Sequence, residues 1–301
     1  MNLIFGDDEL NFNDFETFLI KEKHASENTV NAYMKDLEHF RDFIVSRSID
    51  RLSDVSNSDI VAYLMELKKQ GRSKSTVNRR LTSIRTFYKY LLREGKVREN
   101  PAEDIKSPRI EKKDIEFLSI DEVNRLMTLP DESTKGIRDR AILELMYATG
   151  IRASELIDMK LDDLNMRMGF VKCTGEHSKA RIIPIGRPAR HALEDYVYDA
   201  RPVLLKKSTN EKLFVNYAGE SMTRQGLWKI LKEYGEEAGL KIRLTPQVLR
   251  NSFAVHMLQN GADIKSIQEL MGHEDIAATQ AYLAVTKNRI KDVYDRAHPR
   301  A

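Results

Sequence analysis

Two arginines, a histidine and a tyrosine follow one another through the C-terminal half of this chain. Their settings are Gly150-Ile151-Arg152-Ala153-Ser154-Glu155-Leu156, Thr245-Pro246-Gln247-Val248-Leu249-Arg250, Leu270-Met271-Gly272-His273 and Ala281-Tyr282. Together they are the parts needed to attack a phosphodiester without a metal. Arginine suits phosphate because its planar fork bonds two oxygens at once and stays charged at biological pH. Each residue alone has an ordinary structural explanation. Arg152 could simply pair with Glu155, Arg250 could lie exposed beyond a helix cap, and His273 and Tyr282 could be packing residues. Tyr147, Tyr196, Tyr198, Tyr217, Tyr234 and Tyr294 look no different by composition. The company Tyr282 keeps is what distinguishes it.

Helix ends must position these groups. A helix expected over residues 136–148 ends at Gly150, a left-handed cap, and Arg152 opens the next one. Backbone amides at that new N-terminus and the guanidinium would point at the same anion. Thr245-Pro246 is a strong helix start, with Thr as cap and Pro at the first helical position. It puts Gln247 and Arg250 on one face of the first turn, while Leu249, Phe253 and Met257 anchor an adjacent face and Gly261 ends the helix. Gly272-His273 joins two helical runs, with Asp275 as the cap of the run that carries Tyr282. Between residues 168 and 185 the pattern turns β-rich. Phe170-Val171-Lys172-Cys173 and Arg181-Ile182-Ile183-Pro184-Ile185, joined by residues 174–179, predict a hairpin or part of a small sheet.

Residues 12–100 read as helical throughout. Residues 26–44 carry Val30, Tyr33, Leu37, Phe40 and Ile44 at helical spacing. A run starting at Ser73 or Ser75 carries Val77, Leu81, Ile84, Tyr88 and Leu91, with Arg79, Arg85, Lys89 and Arg93 together on the opposite face. Arg80 falls nearer the apolar seam. Eleven Lys/Arg against one acid, Glu94, lie between residues 68 and 98, although the net charge of the 301-residue chain is only +3. A cationic stripe on a core-packed helix suits DNA phosphates. The polar, proline-marked stretch 106–116 is the expected linker between a helical domain, 1–105, and a second domain, 117–301. There Ser119-Ile120-Asp121-Glu122 resembles a capping box. The expected fold is mainly α: a helical N-terminal domain, then an α-rich domain with a small antiparallel sheet.

The apolar share of 41% supplies real cores. One cysteine, Cys173, permits no intrachain disulfide and fits a reducing cytosol. No apolar run approaches the length of a membrane span, and no secretory signal is evident. No Asp/Glu/His cluster has metal-ligand spacing and no Walker-type glycine loop occurs, so neither a metal nor a nucleotide cofactor is expected.

The order Arg, hairpin, x-x-x-Arg, Gly-His, Tyr resembles the tyrosine recombinases, also called phage-integrase-type recombinases. Asn260-Gly261-Ala262-Asp263-Ile264 through Leu270-Met271-Gly272-His273, and the final His298-Pro299-Arg300, look like the Xer branch. The resemblance spans nearly the whole chain, since residues 12–105 look like that family's core-binding domain. It implies a metal- and ATP-independent DNA transesterase. Tyr282 would form a 3′-phosphotyrosine and release a 5′-hydroxyl. Arg152 and Arg250 would clamp the nonbridging oxygens, His273 would hold the phosphate, and Gln247 and Glu155 would support the site. It also implies binding to a double-stranded recombination site as dimers, with the same or a related subunit, that pair into a tetramer. A DNA translocase is a further expected partner, and the segment after Lys287 would dock onto a neighbour. Resolution of chromosome or plasmid dimers, tied to chromosome partition and cell division in the cytoplasm, is the expected role. Integration or excision of a mobile element fits the same residues. A non-cleaving DNA-binding relative and a type IB topoisomerase are competing readings.

Two departures from the family stand out. Gln247 occupies the usual histidine position of His-x-x-Arg, and Asn251 follows the arginine where relatives often have histidine. Gln can donate a hydrogen bond but cannot titrate. In the hairpin, the position of the family's general-acid lysine falls on Glu176. Lys179 is the lysine expected to serve instead, entering the site when DNA is bound, with Lys172 on the preceding strand as the other choice.

Overall fold

Serine and threonine start most of the long helices, and helix-period apolar stripes decide which side each one buries. A computed structural model describes residues 12–109, 114–175, 180–206, 208–273 and 279–283. It divides into two units, Met1–Lys113 and Asp114–Ala301.

The first unit holds α1 (Phe12–Lys21), α2 (Glu27–Ser46), α3 (Asn57–Lys69) and α4 (Lys74–Arg93). Ser26, Ser56 and Ser73 cap α2, α3 and α4 by accepting a backbone N–H three residues on, which satisfies an otherwise orphaned donor. The apolar stripes predicted from spacing face inward: Val30, Leu37, Phe40 and Ile44 from α2, and Val77, Leu81, Ile84, Tyr88 and Leu91 from α4, are all buried. Each such side chain contributes roughly 1.5–3 kcal/mol of burial. Asp36 of α2 is buried too. It accepts from Arg79 at 2.6 Å and Ser83 at 3.0 Å, with Arg80 Nε at 3.5 Å.

The second unit begins with α5 (Ile120–Met127), opened by the Ser119–Glu122 capping box, and α6 (Thr134–Thr149). Helix α6 is the centre of the unit. Ala141, Ile142, Leu143, Leu145 and Met146 are buried around most of its circumference, as a helix covered on several sides requires. It ends at Gly150, whose φ of +58 is left-handed. The short α7 (Ala153–Asp158) follows. Then comes a three-stranded antiparallel sheet, β1 (Leu164–Asn165), β2 (Phe170–Thr174) and β3 (Ala180–Pro184), in that spatial order. Strand β1 extends the predicted hairpin, and Cys173 pairs with Arg181 across β2 and β3. Helix α8 (Arg187–Asp195) runs through a π-turn at Tyr196–Ala200 into α9 (Arg201–Leu205). The remaining helices are α10 (Arg224–Glu237), α11 (Pro246–Gln259) and α12 (Ile264–Met271), and residues 279–283 are helical. Helices α8 and α11 pack on α6. Among the described residues the fold is mainly helical with one small sheet, as the sequence pattern predicts. Among the described residues, no helix is long and apolar enough to cross a membrane.

Candidate active site

Both arginines singled out by the sequence end on the same turn of backbone. Arg152, the N-cap of α7, donates through Nη2 to the Gly272 carbonyl at 2.8 Å. Arg250, in the first turns of α11, is buried and donates through Nη2 to the Met271 carbonyl at 2.6 Å and through Nη1 to the Gly150 carbonyl. The shared turn is the C-cap of α12, where Gly272 has φ +62. Glycine takes that left-handed conformation without a Cβ penalty. A Cβ there would also meet Arg181 Nη1 at 2.9 Å. His273 comes next, its Nδ1 2.8 Å from Thr279 Oγ1. Arg152, Arg250 and His273 are therefore gathered at one place.

Arg181 belongs to the same cluster, and none of the four motifs contains it. It forms two parallel bonds to Glu155, Nη1 to Oε1 at 2.7 Å and Nη2 to Oε2 at 2.9 Å, and its Nε donates to the Leu270 carbonyl at 2.6 Å. Glu155 also accepts the Arg152 backbone amide at 2.8 Å and Arg152 Nη1 at 3.1 Å. That amide, expected to face an anion, is thus already taken by Glu155. One signal for Arg181 existed. Strand alternation puts it on the inward face with Ile183 and opposite buried Cys173, and a cation on a buried face requires a carboxylate. Lys172, by contrast, is exposed and pairs across the sheet with Ile182. Lys179 and Glu176 lie outside the described residues, as do Asp275 and the segment after Lys287.

Three guanidiniums around one carboxylate leave a positive excess, and neighbouring groups register it. Burial first, then Arg250, Arg152 and Arg181, push His273 down to about 4. Burial, then Arg152, pulls Arg250 down to about 10. Burial drives Glu155 upward, but Arg181 and the Arg152 amide and charge outweigh it and hold the carboxyl below its ordinary range.

Tyr282 is buried beside this cluster. Its hydroxyl donates to Asn251 Oδ1 at 3.0 Å, on the residue next to Arg250. The same oxygen accepts Gln247 Nε2 at 2.8 Å, and Asn251 Nδ2 donates to the Glu116 carbonyl at 2.8 Å. Burial raises the Tyr282 phenol above its ordinary value, while the charge of Arg250 and a hydrogen bond from Gln247 act the other way. Gln247, exposed near the start of α11, donates to its helix neighbour Asn251. An open cavity of about 330 Å³ meets the cluster and is lined by Arg152, Gln247 and Arg250, with Arg224 and Trp228 of α10 opposite. Arg243 stacks over the Trp228 ring at 5.6 Å.

The cations predicted to meet DNA lie on α4, and each has a partner within its own unit. Arg79 bonds Asp36, and Arg85 donates to the Ala102 and Ile105 carbonyls at 3.1 and 2.7 Å. Lys89 pairs with Glu103 at 3.4 Å, and Arg93 pairs with Glu22 and Glu94. Arg80, left out of the stripe, is buried and donates to the Tyr63 hydroxyl at 2.8 Å.

Known proteins share this architecture. The phage integrase family matches residues 116–289, and the phage integrase N-terminal SAM-like domain matches residues 12–95. The tyrosine recombinase XerD of Listeria innocua is 44% identical over 291 residues, covering 96% of this chain and 98% of the relative. The tyrosine recombinase XerD of Oceanobacillus iheyensis is 45% identical over 290 residues at the same coverages. In fold, the chain is similar to the XerH site-specific recombinase in its post-cleavage complex with a palindromic difH substrate. The TM-score is 0.73 at 19% identity, over 93% of this chain and 83% of that one.

Proposed function

This chain belongs to the phage integrase family, and from that premise we propose that it is a site-specific DNA recombinase acting through a 3′-phosphotyrosine. The observation that carries the reading is the convergence of Arg152, Arg250 and His273 on the end of α12, with the Tyr282 phenol tied to the residue beside Arg250. Tyr282 Oη attacks the scissile phosphorus. The new P–Oη bond forms as the P–O5′ bond breaks, and the 5′-oxygen departs with a proton. Arg152 and Arg250 turn guanidinium N–H groups from the backbone carbonyls to the nonbridging oxygens, where charge grows in the transition state. His273, neutral at pH 7, offers a hydrogen bond to the phosphate. Glu155 and Arg181 keep Arg152 in place. Lys179 is the proposed donor to the 5′-oxygen. A 5′-hydroxyl from another strand then reverses the step, so the phosphotyrosine conserves the bond and ATP is not needed.

The DNA is a double-stranded recombination site, bound by dimers that pair into a tetramer with the same or a related subunit. Arg79, Arg85, Lys89 and Arg93 are the proposed phosphate contacts of the N-terminal unit, sharing or exchanging their present partners. The likeness to the XerD recombinases over almost the full chain favours resolution of chromosome or plasmid dimers in the cytoplasm, in concert with a DNA translocase, over transfer of a mobile element.

The test is covalent capture. Random duplexes carrying a nick are incubated with the protein, and adducts are isolated on a denaturing gel. The wild-type chain yields an adduct, and Tyr282→Phe yields none while keeping its affinity for the captured sequence. An adduct that persists in Tyr282→Phe would refute this nucleophile.

A further inference from the structure

We propose that Asn251 and Gln247 form a non-titrating amide cradle that sets the position of the Tyr282 nucleophile relative to the arginine clamp. The proposal rests on the recombinase reading and adds to it two residues with a joint task. Three bonds define the cradle. Asn251 Nδ2 donates to the Glu116 carbonyl at 2.8 Å. That contact fixes which way the amide faces, because turning it over would set an oxygen against a carbonyl and an NH₂ against the Gln247 NH₂. The Oδ1 atom then faces two donors, Gln247 Nε2 at 2.8 Å and the Tyr282 hydroxyl at 3.0 Å. Both lone pairs of that oxygen are used.

Gln247 and Asn251 are one helical turn apart on α11, so they meet side by side. Arg250 lies between them in sequence, on the same turns. The phenol oxygen is therefore tied to the same stretch of α11 that carries the phosphate clamp. The two amides are thus bonded to each other, and the pair touches the nucleophile.

The pairing has a chemical consequence. Asn251 Oδ1 accepts the phenol proton in a hydrogen bond but has no basicity with which to remove it. When Oη bonds to phosphorus, its proton must pass to a group outside the cradle, since neither amide can take it. Gln247 favours the developing negative charge on Oη through its N–H, and Asn251 holds the ring until attack. The rate of attack then carries no titration from positions 247 and 251, whereas a histidine at 251 would add one near pH 6.5.

The experiment measures single-turnover adduct formation from pH 5.5 to 9.5 on a nicked duplex whose sequence comes from covalent capture by the wild-type protein. The variants are Asn251→Ala, Asn251→His, Gln247→Met and the Gln247→Met/Asn251→Ala double. Asn251→Ala is expected to slow adduct formation at least tenfold with unchanged DNA affinity. The double variant should lose less than the two single losses combined, because Gln247 acts in part through the same oxygen. Asn251→His should recover part of the rate and acquire a limb near neutral pH that the wild type lacks. Wild-type rates in Asn251→Ala, fully additive losses in the double variant, or superimposable profiles for Asn251→His and wild type would each overturn the cradle. If Asn251→Ala unfolds for want of its bond to Glu116, Gln247→Met decides: it leaves the Asn251 bonds to Glu116 and Tyr282 intact, and a rate equal to wild type overturns the paired role. A wild-type chain that forms no adduct on any captured duplex would instead remove the recombinase reading itself.

Discussion

The α4 stripe and the arginine cluster of the second unit treat positive charge in opposite ways. On α4 each of the four cations of the outer stripe meets an acid or a carbonyl of its own unit, and the buried Asp36 is answered by Arg79 and Arg80. In the second unit Arg152 and Arg181 share Glu155 with Arg250 close by, and among the described residues their other donors and those of Arg250 rest on the carbonyls of Gly150, Leu270, Met271 and Gly272. A carbonyl satisfies an N–H but does not cancel its charge. Burial first, and then that surplus, shift His273 and Arg250 toward the neutral form. Matched charge holds a fold together; unmatched charge in a half-buried place costs stability and is relieved by an incoming anion.

The largest effect that could break this contrast belongs to Arg152. Its side chain is 38% exposed and Glu155 retains Arg181 without it, so Arg152→Gln should fold normally yet cut the single-turnover adduct rate by about 10²–10³. A loss smaller than tenfold would mean that the surplus charge is not aimed at phosphate. Arg181→Met comes next. Leaving the nearly buried Glu155 with half its partners should lower stability by about 3 kcal/mol, read by urea denaturation. A loss under about 1 kcal/mol would show that Arg152 alone satisfies the carboxylate.

A third test uses pH. His273 has its folded value lowered to about 4 from 6.5, so the neutral ring is the favoured native form. Its contribution to stability is complete above pH 6.5, falls as pH drops from there toward 4, and is level below that. A bound phosphate adds negative charge and raises the value again. DNA binding at pH 5 should therefore take up a proton, measured as a buffer-dependent binding enthalpy, and His273→Gln should remove most of that dependence. The smallest effect is expected from Lys89→Gln. Its ion pair with Glu103 is exposed on both sides, so stability should change by under about 0.5 kcal/mol, while the salt dependence of DNA binding falls by about one ion if Lys89 reaches a phosphate. An unchanged slope would assign the α4 stripe to intramolecular pairing only.

Local structure was legible from spacing because its causes are local. Ser119 and Thr245 act as caps, Gly150 is the left-handed helix end, and the apolar stripes of α2 and α4 face their core. Arg80, read as closer to the apolar seam, is buried. The motif order also drew attention to Arg152, Arg250, His273 and Tyr282, which the fold brings to one neighbourhood. What spacing could not supply was long-range pairing. That Arg79 would answer Asp36, 43 residues away, or Arg181 answer Glu155 across the sheet, depends on which elements pack together. Asn251 was conspicuous only as a missing histidine. Its bond to Tyr282 spans 31 residues and two helical segments, and helix periodicity carries no trace of it.

Position 272 has a consequence for how such a chain can drift over generations. Its backbone lies in the left-handed region, and the space beyond its Cα is filled by the Arg181 guanidinium. Two independent obstacles therefore weigh against any side chain here, and a change that removed one would still meet the other. Lineages descending from this sequence should vary freely at exposed positions such as Met168 and Tyr217, while glycine should persist at 272 even where Arg181 has been replaced, because the left-handed backbone remains.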